Sequence, residues 1–181
     1  METGHVRALA LCPAGTRTPL PVDSARALAG QGLDGDKHAN PLSPRQLLLA
    51  SVSTYADFRL PAHVLGENLL IDLETAQLRS GTVLRIGEQV LLRLMFQCEA
   101  CGHLDGFQAG VPGRIGARRG MLARVLAGGV VRPGDRIVDA GCALPAWPDD
   151  WRERVAQVVG AVSAQAAQGL RCWNGEGLFG P

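Results

Sequence analysis

Apolar residues recur along the chain in short runs broken by glycine and proline, and most runs are too short for a helix. Residues 5–11 form the first, interrupted by Arg7 and closed by Cys12 and Pro13, which predicts an opening strand. Residues 44–50 predict a buried strand, and residues 68–73, 82–86, 89–96, 121–126 and 135–139 predict five more. The pattern is clearest where Val90, Leu92, Leu94 and Phe96 alternate with Leu91, Arg93, Met95 and Gln97, a period of two with one apolar face. Gly81, Gly87, Gly128, Gly129 and Gly134 punctuate these pieces. Short strands at such spacing favour a mainly β fold closed into a barrel, because closure removes exposed edges. Helical spacing is limited to residues 51–58, with Ser51 or Ser53 as the expected cap, and to the tail. In the tail, Asp150 and Glu153 resemble a capping box, and Trp151, Val155, Val158, Val159 and Val162 share one face of a helix running to about residue 168. Pro145 and Pro148 precede it as a linker, and no periodicity follows Gly169. The expected organisation is a barrel domain over residues 1–145 and a C-terminal helix with a poorly ordered end over residues 146–181.

A length of 181 residues suits one domain and an appendage. Eighteen Lys and Arg against seventeen Asp and Glu leave a formal charge of +1, so there is no general attraction to nucleic acid or to an anionic membrane. Glycine, at 23 residues, is well above the average of about 7%, which fits many turns and few long helices. No run of about 18 uncharged apolar residues is present, and the first residues lack a signal-peptide pattern, so a cytoplasmic location is expected. The five cysteines are Cys12, Cys98, Cys101, Cys142 and Cys172; an odd count in that setting argues against a disulfide framework.

Four groups of residues could carry chemistry. Cys98 and Cys101 are a CxxC pair, able to share a metal, to form a redox disulfide, or to leave one thiolate as a ligand. A structural zinc site needs a second ligand pair, and His38, His63 and His103 are not spaced to supply one. Two inert cysteines in a barrel wall are the bland alternative. Residues 32–38 combine glycines with Asp36, Lys37 and His38 in a loop suited to an anion, or to a turn whose aspartates cap their own backbone. Arg45 and Gln46, and Glu67 and Asn68, head apolar runs, where they would face a barrel mouth or satisfy buried backbone. Arg114, Arg118 and Arg119 alternate with Gly113, Gly116 and Gly120 as an anion clamp or a solvated loop.

Taken in order, these groups resemble the MOSC domain family. The matching pieces are Gly32 with Gly35-Asp36-Lys37-His38-Ala39, Arg45-Gln46, Gly66-Glu67-Asn68-Leu69, residues 81–87, Cys98 with Cys101, residues 120–129 and Gly134-Asp135. The resemblance covers residues 5–140. It implies a β-barrel of the pyruvate-kinase type and a molybdenum cofactor of the pterin kind, or sulfur destined for it. It implies Cys101 as the molybdenum ligand or persulfide-bearing thiolate, with Cys98 as a possible resolving thiol. It places Asp36, Lys37, His38, Arg45, Gln46, Glu67 and Asn68 around the cofactor, with Arg118 and Arg119 as phosphate partners. Lys37 stands where the family often has arginine, which keeps the charge and loses the fork; Ala100 stands where a proline is common. Two activities follow from the resemblance: a reductase for N-hydroxylated small molecules fed by an external electron donor protein, or a non-catalytic carrier of the cofactor or of a Cys101 persulfide supplied by a sulfur donor protein. The oligomeric state is left open.

Overall fold

A computed structural model of the chain describes residues 3–100, 104, 106–107 and 110–148. The apolar runs become strands β1 (Thr3–Leu11), β2 (Leu20–Pro21), β3 (Ala25–Leu28), β4 (Gly32–Leu33), β5 (Leu47–Ser51), β6 (Leu69–Ile71), β7 (Thr82–Ile86), β8 (Val90–Gln97), β9 (Met121–Ala127), β10 (Gly129–Val131) and β11 (Arg136–Ala143). Seven of them pair in the order β11, β7, β8, β9, β5, β6, β1, and β1 pairs again with β11, which closes a barrel. Neighbours in the ring run antiparallel except β5 and β6. β2 extends β1, while β10, β3 and β4 form a separate three-stranded sheet.

The predicted closed barrel is therefore the observed fold, with differences in its parts. Residues 82–86 form a strand at the predicted bounds, whereas β6 is shorter and β11 longer than the apolar runs suggested. β3, β4 and β10 were not legible, because they are two to four residues long and are strands through their partners: Val131 pairs with Ala25, far away in sequence. The expected loop at residues 32–38 accordingly begins inside β4.

Inside the barrel, Val6, Leu47, Leu49, Ile71, Leu92 and Val125 belong to one continuous core. The alternation along β8 holds as far as Leu94. There the register shifts, since Leu94 opposes Ala123 but Gln97 opposes Met121, so three steps on β8 face two on β9. This bulge reverses the parity of the strand. Phe96 leaves the barrel core and packs with Leu48, Cys98 and Leu122 on the other face.

β5 is buried along its whole length because both its faces are covered. Its inner side feeds the barrel core; on its outer side, Ala50 joins Phe58, Val64, Leu65, Val111 and Ile115 in a second core. Two short helices, α1 (Val52–Phe58) and α2 (Val111–Ile115), supply part of that cover. Ser51 stands at the N-cap of α1 without capping it. Its hydroxyl instead donates to the Leu73 carbonyl at 2.5 Å, and Ser53 donates to Ser51 and Glu74. Both serines tie the helix start to the sheet, in place of the expected side-chain cap.

Beyond β11, Leu144 N–H donates to the Gly81 carbonyl, Arg93 to the Pro145 carbonyl, and the Trp147 ring lies 6.0 Å from Phe96. The helix predicted in the tail lies outside the described residues. No helix among those described is long and apolar enough to cross a membrane.

Candidate functional site

A cleft of about 730 Å³ opens against the outer face of the barrel wall. Leu48 and Leu122, paired across β5 and β9, form its floor together with Cys98. Their chain neighbours Leu47, Leu49, Met121 and Ala123 face the barrel core. The site is thus beside the barrel, not in the mouth expected from the positions of Arg45 and Glu67. Its size is within the roughly 300–1,000 Å³ typical of small-molecule sites. Loops after β1, before β5, before β6 and before β9 build the walls.

Asp36 fixes the wall that follows β4. Its carboxylate accepts the Cys12 and His38 backbone N–H groups, the Asn68 amide and the His38 ring, each at 2.8 Å. Burial pushes its pKa up, but the hydrogen bonds from His38 and Cys12 outweigh that and hold it below the ordinary aspartate value. Gln46 ties a second wall: its amide donates to the Gly30 and Asn40 carbonyls at 2.6 and 3.0 Å, and its oxygen accepts Val125 N–H at 3.0 Å. Asp36, Gln46 and Glu67 therefore stand behind the cleft and do not line it, because each spends its polar atoms on the protein. Lys37, His38, Arg45, Asn68, Cys98 and Arg119 do line it.

The lining is cationic. Lys37 reaches the Thr16 carbonyl at 3.0 Å, Arg17 lies nearby, and Arg45 Nη2 is 4.0 Å from Cys98 Sγ. Arg119 is only 5% exposed, and its Nε and Nη1 have no hydrogen-bond partner among the described residues. A buried guanidinium with orphaned donors is costly unless an acceptor meets it. No Asp or Glu is among the described residues lining the cleft. A net charge of +1 thus conceals a local concentration of positive charge.

Gly120 makes this placement of Arg119 possible. Its φ is +131°, and a Cβ there would lie 2.5 Å from the Leu49 carbonyl oxygen. The tight approach lets the chain turn from Arg119 directly into β9. Arg118, one residue earlier, goes elsewhere: it meets Asp57 at 2.6 Å and Glu74 at 4.0 Å and lies over the Phe58 ring. The two adjacent arginines therefore do not act together.

On the wall before β6, His63 Nδ1 is 3.0 Å from Glu67 Oε1. Tyr55 donates its hydroxyl proton to the other oxygen of Glu67 and accepts Leu65 N–H at 3.1 Å. Burial, together with the Glu67 carboxylate, pushes the Tyr55 hydroxyl far above its ordinary pKa, so it keeps its proton. His63 has a left-handed backbone, φ +59°, unusual for a residue with a side chain.

Cys101 and His103 lie outside the described residues. Among the described residues, no three His, Cys, Asp or Glu side chains gather to hold a metal ion. Sequence reasoning did not single out Cys12, Arg17 or Phe107, which also line the cleft. Cys12 and Arg17 follow an unambiguous strand, a common position for site residues, and that was the available signal.

The MOSC domain, as a family, matches residues 43–138 of the chain. Among curated proteins no sequence matches. Solved structures are similar at low identity. The YuaD protein of Bacillus subtilis superposes with a TM-score of 0.65 at 16% identity, over 75% of this chain and 94% of that one. YiiM from Geobacillus stearothermophilus gives 0.63 at 16% identity, covering 91% and 89% of the two chains. YiiM from Escherichia coli gives 0.59 at 18%, covering 93% and 92%.

Proposed function

Since the chain belongs to the MOSC domain family, we propose that the cleft binds a pterin-type molybdenum cofactor and that the protein reduces N-hydroxylated small molecules with electrons from an external donor protein. The observation that carries this reading is Arg119, a buried cation on the lining of a cavity that has no carboxylate among its described lining residues, with two donors that have no partner among the described residues. An anion in the cleft balances the charge of that guanidinium. The residues present therefore fit a phosphate-bearing cofactor: Arg119, Arg45 and Lys37 for its anionic end, His38 and Asn68 for its polar edge, and Leu48 and Leu122 for an apolar face. Asp36, Gln46 and Glu67 hold the walls, and Arg118 braces the Arg119 segment from outside.

Cys101 is the proposed thiolate ligand, since soft sulfur suits a molybdenum centre, and Cys98 is its neighbour at the cleft floor. When bound, the cofactor supplies two-electron oxygen-atom transfer. The overall reaction consumes two electrons from the donor protein and two protons, turning R–NH–OH into R–NH2 and water. The chain's own residues bind and orient the cofactor, hold it by charge, and manage protons. A second reading is a carrier of the cofactor or of a Cys101 persulfide, and the guanidinium of Arg45 beside Cys98 Sγ favours it by offering a charge to anionic sulfur nearby.

The test is metal content by elemental mass spectrometry after anaerobic purification from a host that makes the cofactor. Wild type is expected to carry molybdenum near one per chain, Cys101→Ala almost none, and Arg119→Met about tenfold less occupancy at limiting cofactor, the lower end of the ~1.5–3 kcal/mol of a charged hydrogen bond. Molybdenum with turnover of an N-hydroxylated substrate supports the reductase. Cyanide-releasable sulfur without turnover supports the carrier, and zinc or no molybdenum in wild type refutes both cofactor readings.

A further inference from the structure

One constellation in the cleft is not needed to bind a cofactor. His63 lines the wall, its side chain is 16% exposed, and no protein group meets its Nε2 among the described residues. Its Nδ1 is anchored on Glu67, which is 1% exposed. The other oxygen of that carboxylate accepts the Tyr55 hydroxyl proton, and the Tyr55 oxygen is itself fixed by Leu65 N–H. The Tyr55 proton therefore points at Glu67, and the carboxylate's remaining demand falls on the ring. In the neutral ring this sets the proton on Nδ1 and leaves Nε2 to exchange a proton with whatever occupies the cleft. The Arg119 charge also acts on this chain of bonds, through Tyr55.

The backbone supports the same conclusion independently. His63 sits at φ +59°, a conformation that glycine adopts without strain. An imidazole kept at such a position points to use of the ring.

We propose that His63 is the proton donor of this cleft, with Glu67 and Tyr55 as its positioning residues. The role rests on the reductive reading above. In R–NH–OH + 2 e− + 2 H+ → R–NH2 + H2O, the N–O bond breaks, the two electrons come from the donor protein through the cofactor, and the oxygen leaves as water. One of the two protons leaves Nε2 of the doubly protonated His63 ring, which leaves the neutral Nδ1–H ring held by Glu67, and Nε2 is reprotonated from solvent.

The experiment compares wild type, His63→Gly, His63→Gln, Glu67→Gln and Tyr55→Phe, each purified with cofactor. Molybdenum content is measured first, then turnover of an N-hydroxylated amidine with reduced methyl viologen as electron source, and the ring tautomer is read by nitrogen NMR in cofactor-free protein. Wild type is expected to show the Nδ1–H tautomer, lost in Glu67→Gln. His63→Gly is expected to melt no lower than wild type, to keep its molybdenum, and to lose about 100-fold in kcat with KM within twofold. Added imidazole should restore part of that rate. His63→Gln should lose the same rate without rescue, and Glu67→Gln and Tyr55→Phe should lose less, in kcat and not in KM. Full molybdenum with unchanged kcat in both His63 variants overturns the role, as does an Nε2–H tautomer in wild type. A wild type without molybdenum refutes the cofactor reading before any variant is compared, and the proton-donor role with it.

Discussion

Asp36 is the residue on which the cationic wall depends, and it does so without touching the cleft. Four donors converge on its two oxygens from Cys12, His38 and Asn68, so Asp36→Ala strands three donors at once, two of them buried and one part-buried. At about 1 kcal/mol or more for each unsatisfied group, the variant is expected to lose about 3 kcal/mol in urea denaturation. The pH dependence has a definite sign. The folded carboxyl has a lower pKa than in the unfolded chain, so its contribution is complete above the unfolded value of ~3.9 and disappears as pH falls through the folded one. Urea midpoints of wild type should fall below pH ~4, and Asp36→Asn should flatten that fall; an equal slope in both would show that Asp36 titrates alike folded and unfolded. The sequence grouped Asp36 with the candidate site residues but did not show that its carboxylate would be spent on the protein behind the cleft. The same limit applies to Arg118 and Arg119. Adjacent residues on a 3-10 turn point about 120° apart, and which of the two enters the cleft is decided by the approach of Gly120 to β5.

At the scale of elements, the strands that could be read from the chain are those with their own alternation, such as β7 and the first part of β8. Those that could not be read take their conformation from a partner: β3, β4 and β10 are strands by pairing, and β8 changes parity at a bulge that no pattern announces. That bulge carries Cys98 to the outer face, which is why the site lies on the wall rather than in the mouth. Gly120 is where this arrangement is most exposed to substitution. Gly120→Ala sets a Cβ against a backbone carbonyl at a φ that disfavours side chains. A loss of about 2–3 kcal/mol is expected, together with weaker anion binding because Arg119 must shift. Differential scanning calorimetry and phosphate titration would check the two effects, and a stable variant with normal phosphate affinity would show that the turn has slack.

Across the whole molecule, closure of the seven-strand ring distributes stability unevenly. β5 is buried on both faces and paired on both sides, whereas β10, β3 and β4 form a small sheet of their own. Amide exchange is expected to be slowest for residues 47–50, opening only with global unfolding, and markedly faster for residues 25–28 and 129–131. Equal protection in the two regions would mean that they unfold as one unit. The cleft's charge also has a molecular consequence: phosphate binding should weaken as salt is raised, but less than for a fully exposed cation cluster, since Arg119 is buried.

The parallel pairing of β5 with β6 carries a consequence for how such a protein diversifies. Two parallel neighbours cannot be joined by a tight turn, so the chain must travel the length of the strand before it can return, and here that excursion contains α1 and the segment with His63 and Glu67. The ring fixes where the excursion departs and where it lands, but sets little on its length or content. Lineages can therefore lengthen, shorten or rewrite it while every rung of the sheet keeps its partner. A topological necessity of the barrel thereby leaves one wall of the cleft open to evolutionary experiment, and a library confined to the exposed lining positions Pro61 and Ala62 would sample new substrates while sparing His63 and the buried Val64 and Leu65.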